Sequence, residues 1–293
     1  MSMAEGPGAW ALVLHGGAKE IAPEKEQANR DGCLDALAAG VAVLRSGGSA
    51  MDAVEAAIRV LEDDPTFNAG RGSVRNADGE VEMDAAVMDG ATLDVGGVAA
   101  IRQVRHPVTV ARLMLRDTPT LLVADGARRF AQAHGAEFCE AANLEVPSED
   151  AAHDTVGCIA LDMRGNLAAG TSTGGLEGCL PGRVGDSPLP GCGLYADNAA
   201  GAVAFSGDGE SISRSMLAAR VMQSLETVPP QDAADAAIAR LSRVGGEAGG
   251  IVLDHIGRVG WAHNSAHFAV GIATSRDGRP RAYLRKREET AHD

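Results

Sequence analysis

The stretch AAHDTVGCIALD occupies residues 151–162 and joins an acidic segment to an apolar, β-branched one. Thr155 opens the apolar run TVGCIAL, which is followed by the turn sequence DMRGN and then by LAAGTST. Two apolar runs separated by a short polar turn predict a buried β-hairpin over residues 155–173. Thr155 is therefore either an ordinary strand residue or the residue at which the chain is divided.

The segment before Thr155 has the composition of a linker. Residues 136–154 are acidic, contain Pro147 and show neither helical nor strand periodicity, which indicates a solvated connection. Around it, the pattern predicts alternating helices and strands. We expect helices at 26–46, 210–225 and 231–243, and another from Ser49 to about Pro65. Two more helices are expected, one that starts near Pro107 and one that ends at His134. We expect further strands at 10–14, 96–101, 120–124, 202–205, 249–254 and 258–262, and two hairpin strands around Asn76–Gly79.

Composition disfavours several classes of partner. The chain has 293 residues and a formal net charge of −14, and the RKR at 285–287 is its only notable basic run, which disfavours nucleic acid and anionic membranes. The N-terminus lacks a basic signal-peptide region, and no apolar run reaches membrane-spanning length. Five cysteines without a CxxC pair suit a reducing compartment. We expect one cytoplasmic folding unit that takes a small-molecule or dipeptide ligand.

Two residues compete for the role of nucleophile. Gly170–Gly174 satisfies G-x-S-x-G, and His15-Gly16-Gly17 is typical of an oxyanion-hole loop, so a serine hydrolase is one interpretation. That motif requires a helix directly after the serine, and the proline- and glycine-rich sequence that follows does not form one. Thr155 is the alternative, because a threonine at a chain terminus carries an α-amino group with a pKa of ~7.7–8.0 that serves as its own base.

Polar residues that suit such a nucleophile occur downstream of Thr155. Arg183 and Asp186, in a loop fixed by proline and glycine, are able to bind the carboxylate and the ammonium group of a zwitterion, although a surface ion pair is the alternative. The Ser206–Glu210 turn before a helix provides a hydroxyl and backbone N–H groups for an oxyanion hole, or is simply a helix start.

Taken together, the motifs resemble the isoaspartyl peptidase/L-asparaginase family, the plant-type asparaginases among the N-terminal nucleophile hydrolases. The resemblance covers nearly the whole chain in order. It rests on HGGA (15–18), LEDDPTFNAGRGS (61–73), EMDAAVMDG (82–90), HDTVG (153–157), TSTGG (171–175), PGRVGDSP (181–188), YADN (195–198) and SGDGE (206–210).

The resemblance implies an α+β fold, a four-layer αββα sandwich, in a precursor that cleaves itself between Asp154 and Thr155. The products are an α subunit (1–154, with its linker at 136–154) and a β subunit (155–293), which together form one domain. Two such αβ units are expected to associate as a dimer. No cofactor is required for the chemistry, and a structural sodium ion is expected on backbone carbonyls. Its implied ligands are Leu61, Glu62, Asp64, Phe67, Ala69 and Arg71.

The resemblance also implies a role for each residue of the site. Thr155 is the implied nucleophile and Thr173 the hydroxyl that steadies it, while Ser206 Oγ and the Gly207 N–H form the implied oxyanion hole. The other implied substrate-binding residues are Arg183 for the α-carboxylate, Asp186 and the Gly209 carbonyl for the α-ammonium group, and Asn68 in support of the nucleophile. Adjacency alone suggests that Asp154 assists self-cleavage as a base.

The chain departs from the family pattern at three places. Ser206 replaces a common threonine and loses the methyl group that restricts its rotamer. Gly178-Cys179 replaces a common Asn-Lys pair, and the linker at 136–154 is shorter than usual. The expected function is hydrolysis of β-aspartyl dipeptides and of L-asparagine. Glycosylasparaginase is the first alternative, and a non-catalytic paralogue that binds aspartyl compounds is the second. His263 and His267 are expected to be structural.

Overall fold

A computed structural model of the chain describes residues 8–140, 143–144, 155–277 and 279–291. Two β-sheets and the helices that cover them form an α+β architecture, as the sequence predicts. The larger sheet has eight strands in the order β12-β11-β1-β5-β6-β2-β3-β4, and the smaller has four in the order β10-β9-β8-β7. Neighbouring strands are antiparallel except β3 and β4.

The elements have the following bounds. The strands are β1 (Ala11–Lys19), β2 (Met83–Asp89), β3 (Val95–Ile101), β4 (Leu121–Val123), β5 (Thr155–Leu161), β6 (Leu167–Thr173), β7 (Leu194–Asp197), β8 (Gly201–Gly207), β9 (Ala248–Asp254), β10 (Val259–His263), β11 (His267–Thr274) and β12 (Arg281–Tyr283). The helices are α1 (Glu26–Arg45), α2 (Ala50–Asp63), α3 (Pro107–Met114), α4 (Ala124–Ala133), α5 (Gly209–Ser215), α6 (Leu217–Ser224) and α7 (Pro230–Arg240).

Three apolar cores separate the four layers. One lies between the large sheet and helices α1 to α4, the second lies between the two sheets, and the third lies between the small sheet and helices α5 to α7. Strand β5 shows why the central strands are apolar throughout: Val156 and Cys158 point into the helix-side core, whereas Ile159 and Leu161 point between the sheets. The same alternation places Thr155 on the face between the sheets, at the first residue of the strand.

Local sequence signals account for the best predicted elements. Ser49 Oγ accepts the Asp52 N–H at 3.0 Å and the Asp52 carboxylate accepts the Ser49 N–H at 3.2 Å, so the predicted capping box opens α2. The hairpin predicted at 155–173 is β5 paired with β6, in which Thr155 lies directly opposite Thr173.

Three sequence predictions were wrong in detail. Asn76–Gly79 is a turn, but only the strand after it forms, because Arg75 and Ala77 bond instead to Gly178 and Cys179 of a distant loop. The helix predicted at 210–225 is broken at Met216, whose φ of 50° is left-handed, and the first N–H groups of α6 bond to the loop at 191–192. Strands β7, β11 and β12 were not predicted as separate strands.

The predicted linker is described only at 136–140 and 143–144. Here Phe138 forms a β-bridge with Val104, and the Arg105 N–H donates to the Glu137 carbonyl at 2.9 Å. Asp154 and the rest of the linker lie outside the described residues. In the part of the chain that the structure describes, no helix has the length and apolar character needed to cross a membrane.

Candidate active site

Thr155 begins β5 at the end of the space between the two sheets. Its side chain is buried, with 5% of the residue exposed. In the intact chain its backbone N–H donates to Ser206 Oγ at 3.2 Å, which connects the start of β5 with the end of β8. The strand pairing that fixes β5 therefore also fixes Thr155 against the second sheet.

Two hydroxyl-bearing residues lie beside Thr155. Thr173, predicted to steady it, is its direct neighbour across the β5–β6 pair, and Thr173 Oγ1 accepts the Gly175 N–H at 3.1 Å. The sequence analysis missed Ser187, whose Oγ is 2.9 Å from Thr155 Oγ1 and of which 1% is exposed. The only sequence signal for Ser187 was its place between Asp186 and Pro188 in PGRVGDSP.

Ser206 and Gly207 end β8 next to Thr155. Ser206 is fully buried, and its Oγ accepts backbone N–H groups from both Thr155 and Ala18, at 3.2 and 3.1 Å. These two hydrogen bonds restrict the Ser206 rotamer, as the methyl group of a threonine would. Because both partners are donors, the Ser206 hydroxyl proton stays available for donation. Gly207 has a φ of 139°, and a Cβ there would overlap the Glu247 carbonyl, so the turn requires glycine.

Arg183, Asp186 and Gly209 lie together near Thr155. The Arg183 guanidinium donates to Glu210 through Nε and Nη2, at 2.9 and 2.7 Å, and a Cβ on Gly209 would contact both the guanidinium and the Asp186 carboxylate. Asp186 is 2% exposed, and its Oδ2 has no hydrogen-bond partner within the described residues. Burial raises the pKa of Asp186 to about 7, against the opposing effect of Arg183.

One small cavity joins these groups. Thr155, Ser187 and Leu176 line it, and its volume is ≈ 10 Å³. The other lining residues are Thr173, Gly175, Arg183, Gly185, Asp186, Gly207 and Gly209. Six of the eight predicted catalytic and substrate-binding residues thus line one cavity. Ser206 is not among them, but its Oγ accepts the backbone N–H of Thr155, which is. A larger cavity of ≈ 1090 Å³, near Arg105 and Phe138, has no threonine or serine among the described residues that line it.

Asn68 supports the cavity from a neighbouring loop. Its Nδ2 donates to the Gly175 carbonyl at 2.7 Å, and its Oδ1 accepts the Val74 N–H at 3.1 Å. Because Gly175 lines the cavity, Asn68 fixes part of the wall beside Thr173.

The predicted sodium ligands surround the end of α2. Leu61 and Glu62 lie in its last turn, where backbone carbonyls have no intrahelical partners and carry the negative end of the helix dipole. The loop turns back so closely that a Cβ on Gly70 would overlap the Glu62 carbonyl. Of the remaining carbonyls, those of Asp64, Phe67 and Ala69 each accept one loop N–H and retain a second lone pair, so the residues fit a hard cation.

The other residues singled out by sequence have structural environments. Ser172, the serine of G-x-S-x-G, lies inside β6 and donates to the buried Glu62 at 2.7 Å, so the rejection of the serine-hydrolase motif is confirmed. His263 and His267 lie on strands: His263 Nδ1 contacts the Ser265 carbonyl, and His267 Nδ1 accepts the Ile21 N–H. Cys179 lies at the rim, where its Sγ is 4.0 Å from the position of a Cβ on Gly175.

Comparisons with known proteins agree with this arrangement. The family described as Asparaginase matches residues 8–146 and 138–280. A protein from Danio rerio named isoaspartyl peptidase/L-asparaginase is 42% identical over 289 residues, which cover 92% of this chain and 93% of that protein. The protein of the same name from Homo sapiens is 40% identical over 292 residues, with 92% of this chain and 94% of that protein covered.

A match that spans most of the chain, together with relatives of similar length at this identity, is sufficient to assign the family. The chain belongs to the asparaginase family.

Proposed function

We propose that this protein is an autoprocessing threonine hydrolase that releases L-aspartate from β-aspartyl dipeptides and from L-asparagine. The observation that carries the proposal is a cavity lined by the buried Thr155, by Arg183 and by Asp186, whose Oδ2 has no hydrogen-bond partner within the described residues. The names of the relatives, isoaspartyl peptidase/L-asparaginase, support the choice of substrates.

Arg183 and Asp186 select the aspartyl part of the substrate. Glu210 occupies the Nε and Nη2 edge of the guanidinium, so an incoming α-carboxylate either uses Nη1 or displaces Glu210. The buried Asp186 Oδ2 then accepts a hydrogen bond from the α-ammonium group, a donor that the described part of the chain does not supply. In this proposal the Gly209 carbonyl is the second ammonium acceptor.

Thr155 carries out the chemistry once its amine is free. The α-amino group takes the proton of Oγ1 as Oγ1 forms a bond to the side-chain carbonyl carbon of the substrate. The Ser206 hydroxyl, whose proton is not used by the two N–H donors, and the Gly207 N–H stabilise the oxyanion. The amine leaves with the transferred proton, and water hydrolyses the β-aspartyl ester to release aspartate.

Self-cleavage uses the same hydroxyl. Thr155 Oγ1 attacks the carbonyl of Asp154, the peptide C–N bond breaks, the proton of Oγ1 passes to the departing nitrogen to give the free α-amino group, and water hydrolyses the resulting ester. The contact of Thr155 N with Ser206 Oγ holds the scissile amide next to the proposed oxyanion donors in the intact chain.

A sodium ion would act away from the bond-breaking step. The carbonyls of Leu61, Glu62, Asp64, Phe67, Ala69 and Arg71 would hold it. Its charge would stabilise the loop that carries Asn68 and hence the Gly175 wall of the cavity. We further propose that two αβ units associate, and that the protein acts in the cytoplasm, in keeping with its five free cysteines.

Parallel substrate assays test the proposal. β-Asp-Leu, L-asparagine and N4-(GlcNAc)-asparagine are each incubated with the matured wild-type protein and with Thr155→Ala. We expect aspartate release from the first two substrates by the wild type only. Faster release from N4-(GlcNAc)-asparagine than from β-Asp-Leu would assign a glycosylasparaginase. Aspartate binding without hydrolysis of any substrate would assign the non-catalytic paralogue.

A further inference from the structure

The Ser187 hydroxyl group lies within hydrogen-bond distance of the proposed reacting atom, Thr155 Oγ1. Its Oγ lies 2.9 Å from Thr155 Oγ1, inside the cavity that also contains Arg183 and Asp186. We propose that Ser187 is a further catalytic residue, which donates its hydrogen bond to Thr155 Oγ1 in both self-cleavage and hydrolysis. This inference rests on the proposed function of Thr155.

The position of Ser187 is fixed by its neighbours. Its backbone carbonyl accepts the Thr171 hydroxyl at 2.7 Å, and the Leu189 N–H closes a turn on the Asp186 carbonyl at 2.9 Å. Pro188 restricts the backbone of the residue before it to extended conformations. A serine held in this way presents its Oγ with little loss of conformational freedom during the reaction.

The direction of the hydrogen bond follows from the protons available. A hydroxyl has one proton and two lone pairs, so only one of the two oxygens donates to the other. In the matured enzyme Thr155 directs its proton toward its own α-amino group, and Ser187 is then the donor. Its hydrogen bond occupies one lone pair of Oγ1 and stabilises the negative charge that develops on that oxygen as the proton leaves.

This role differs from those of the other hydroxyls at the site. Ser206 contacts the backbone nitrogen of Thr155 and is proposed to stabilise the substrate oxyanion, whereas Ser187 contacts the nucleophilic oxygen itself. Loss of Ser187 should therefore affect the rate of bond formation and leave the binding of the aspartyl part to Arg183 and Asp186 unchanged.

The test compares Ser187→Ala with Ser73→Ala. Ser73 is a matched control because it is 1% exposed and its Oγ has no partner within the described residues. For Ser187→Ala we expect self-cleavage and kcat for β-Asp-Leu to fall about 10- to 100-fold, as for other hydrogen bonds to charged groups, with KM within about twofold. Ser73→Ala should match the wild type, and Ser187→Thr, which keeps the hydroxyl, should recover most of kcat.

A second variant and the activity of the wild type separate a role of Ser187 from a folding defect and from failure of the proposed function. If Ser187→Ala does not fold, Ser187→Cys replaces it, because a thiol of similar size is only a weak donor and should show the same loss. A wild type that neither cleaves itself nor hydrolyses substrate would overturn the proposed function. An active wild type with an equally active, folded Ser187→Ala or Ser187→Cys would overturn the role of Ser187 alone.

Discussion

Asp186 is a buried carboxylate that lacks a hydrogen-bond donor for Oδ2 within the described residues. Ionised and unpaired, such a group costs the folded state free energy unless a cation reaches it. Burial accordingly raises the pKa of Asp186 to about 7, above the ~3.9 of an unfolded aspartate. Asp186, the residue proposed to bind the substrate's ammonium group, therefore lowers the stability of the folded protein when no substrate is bound.

The sign of this pKa shift predicts a pH-dependent gain in stability for Asp186→Asn. Because the folded pKa lies above the unfolded one, ionisation of Asp186 penalises the folded state as pH rises from about 4 to 7. We expect Asp186→Asn to raise Tm by ~2–5 °C at pH 8 and to change it little at pH 4, while aspartate release is lost.

Calorimetry at the two pH values measures the difference. Asp78→Asn, at an exposed turn residue, should leave Tm unchanged at both. A Tm of Asp186→Asn equal to or below that of the wild type at pH 8 would contradict the view that Asp186 is ionised and unpaired in the empty site.

The sequence predicted most of the residues that the structure brings together, and it missed Ser187. Thr155, Thr173, Arg183 and Asp186 have side chains whose chemistry suggests a role. Ser187 has no such signal, because its role depends on the tertiary contact that sets the 181–188 loop against the first residue of β5. The roles of all these residues stay predictions.

At the scale of elements, β5 is held by close packing on the face that carries Thr155. Gly157 lies two residues from Thr155 and opposite His15 of β1. A Cβ at position 157 would overlap His15 Nε2. His15 is fully buried against the Phe268 ring, and burial lowers its pKa to about 3. A neutral imidazole therefore occupies the space that a side chain at position 157 would need.

Gly157→Ala should therefore disturb the start of β5. Neither β5, which is paired on both sides, nor the packed imidazole is free to move away, and overpacking of this kind costs ~1–3 kcal/mol. We expect a lower free energy of unfolding and slower self-cleavage, measured by urea denaturation and by intact mass. Gly126→Ala, inside α4, meets no atom of the described residues within 4 Å, so it is the matched control and should be neutral or stabilising. Equal stability and cleavage in both variants would contradict the argument.

Elements were predictable where the signal is local. The capping box of α2 and the β5–β6 hairpin depend on residues close in sequence, and both are confirmed. Met216 is different, because the break between α5 and α6 comes from hydrogen bonds to the loop at 191–192. Strand β7 has four residues, too few to give a clear strand pattern, and it forms because it pairs with β8.

At the scale of the whole molecule, the two proposed subunits are interleaved in one sheet. Strands β1 and β2 from the first half flank β5 and β6 from the second, and β11 pairs with the other edge of β1. The core between the sheets likewise combines residues of both halves. This arrangement explains how a cut before Thr155 would leave the fold intact.

Cleaved protein should accordingly behave as one particle. After self-cleavage we expect both fragments to elute together in size-exclusion chromatography in native buffer and to separate only in denaturant, because separation would break the β1–β11, β1–β5 and β2–β6 pairings and expose the central core. Separation of the fragments in native buffer would contradict the interleaved sheet. Light scattering on the same sample would test whether two αβ units associate.

The central claim is that Thr155 becomes a catalytic chain terminus, and intact mass spectrometry of freshly purified protein over several days tests it directly. The account predicts that the 30.0 kDa chain gives way to two fragments, one beginning at Thr155, whose masses sum to the precursor plus one water, whereas Thr155→Ala remains whole. A wild-type chain that hydrolyses β-Asp-Leu while still uncleaved, or a Thr155→Ala chain that cleaves at the same bond, would contradict it.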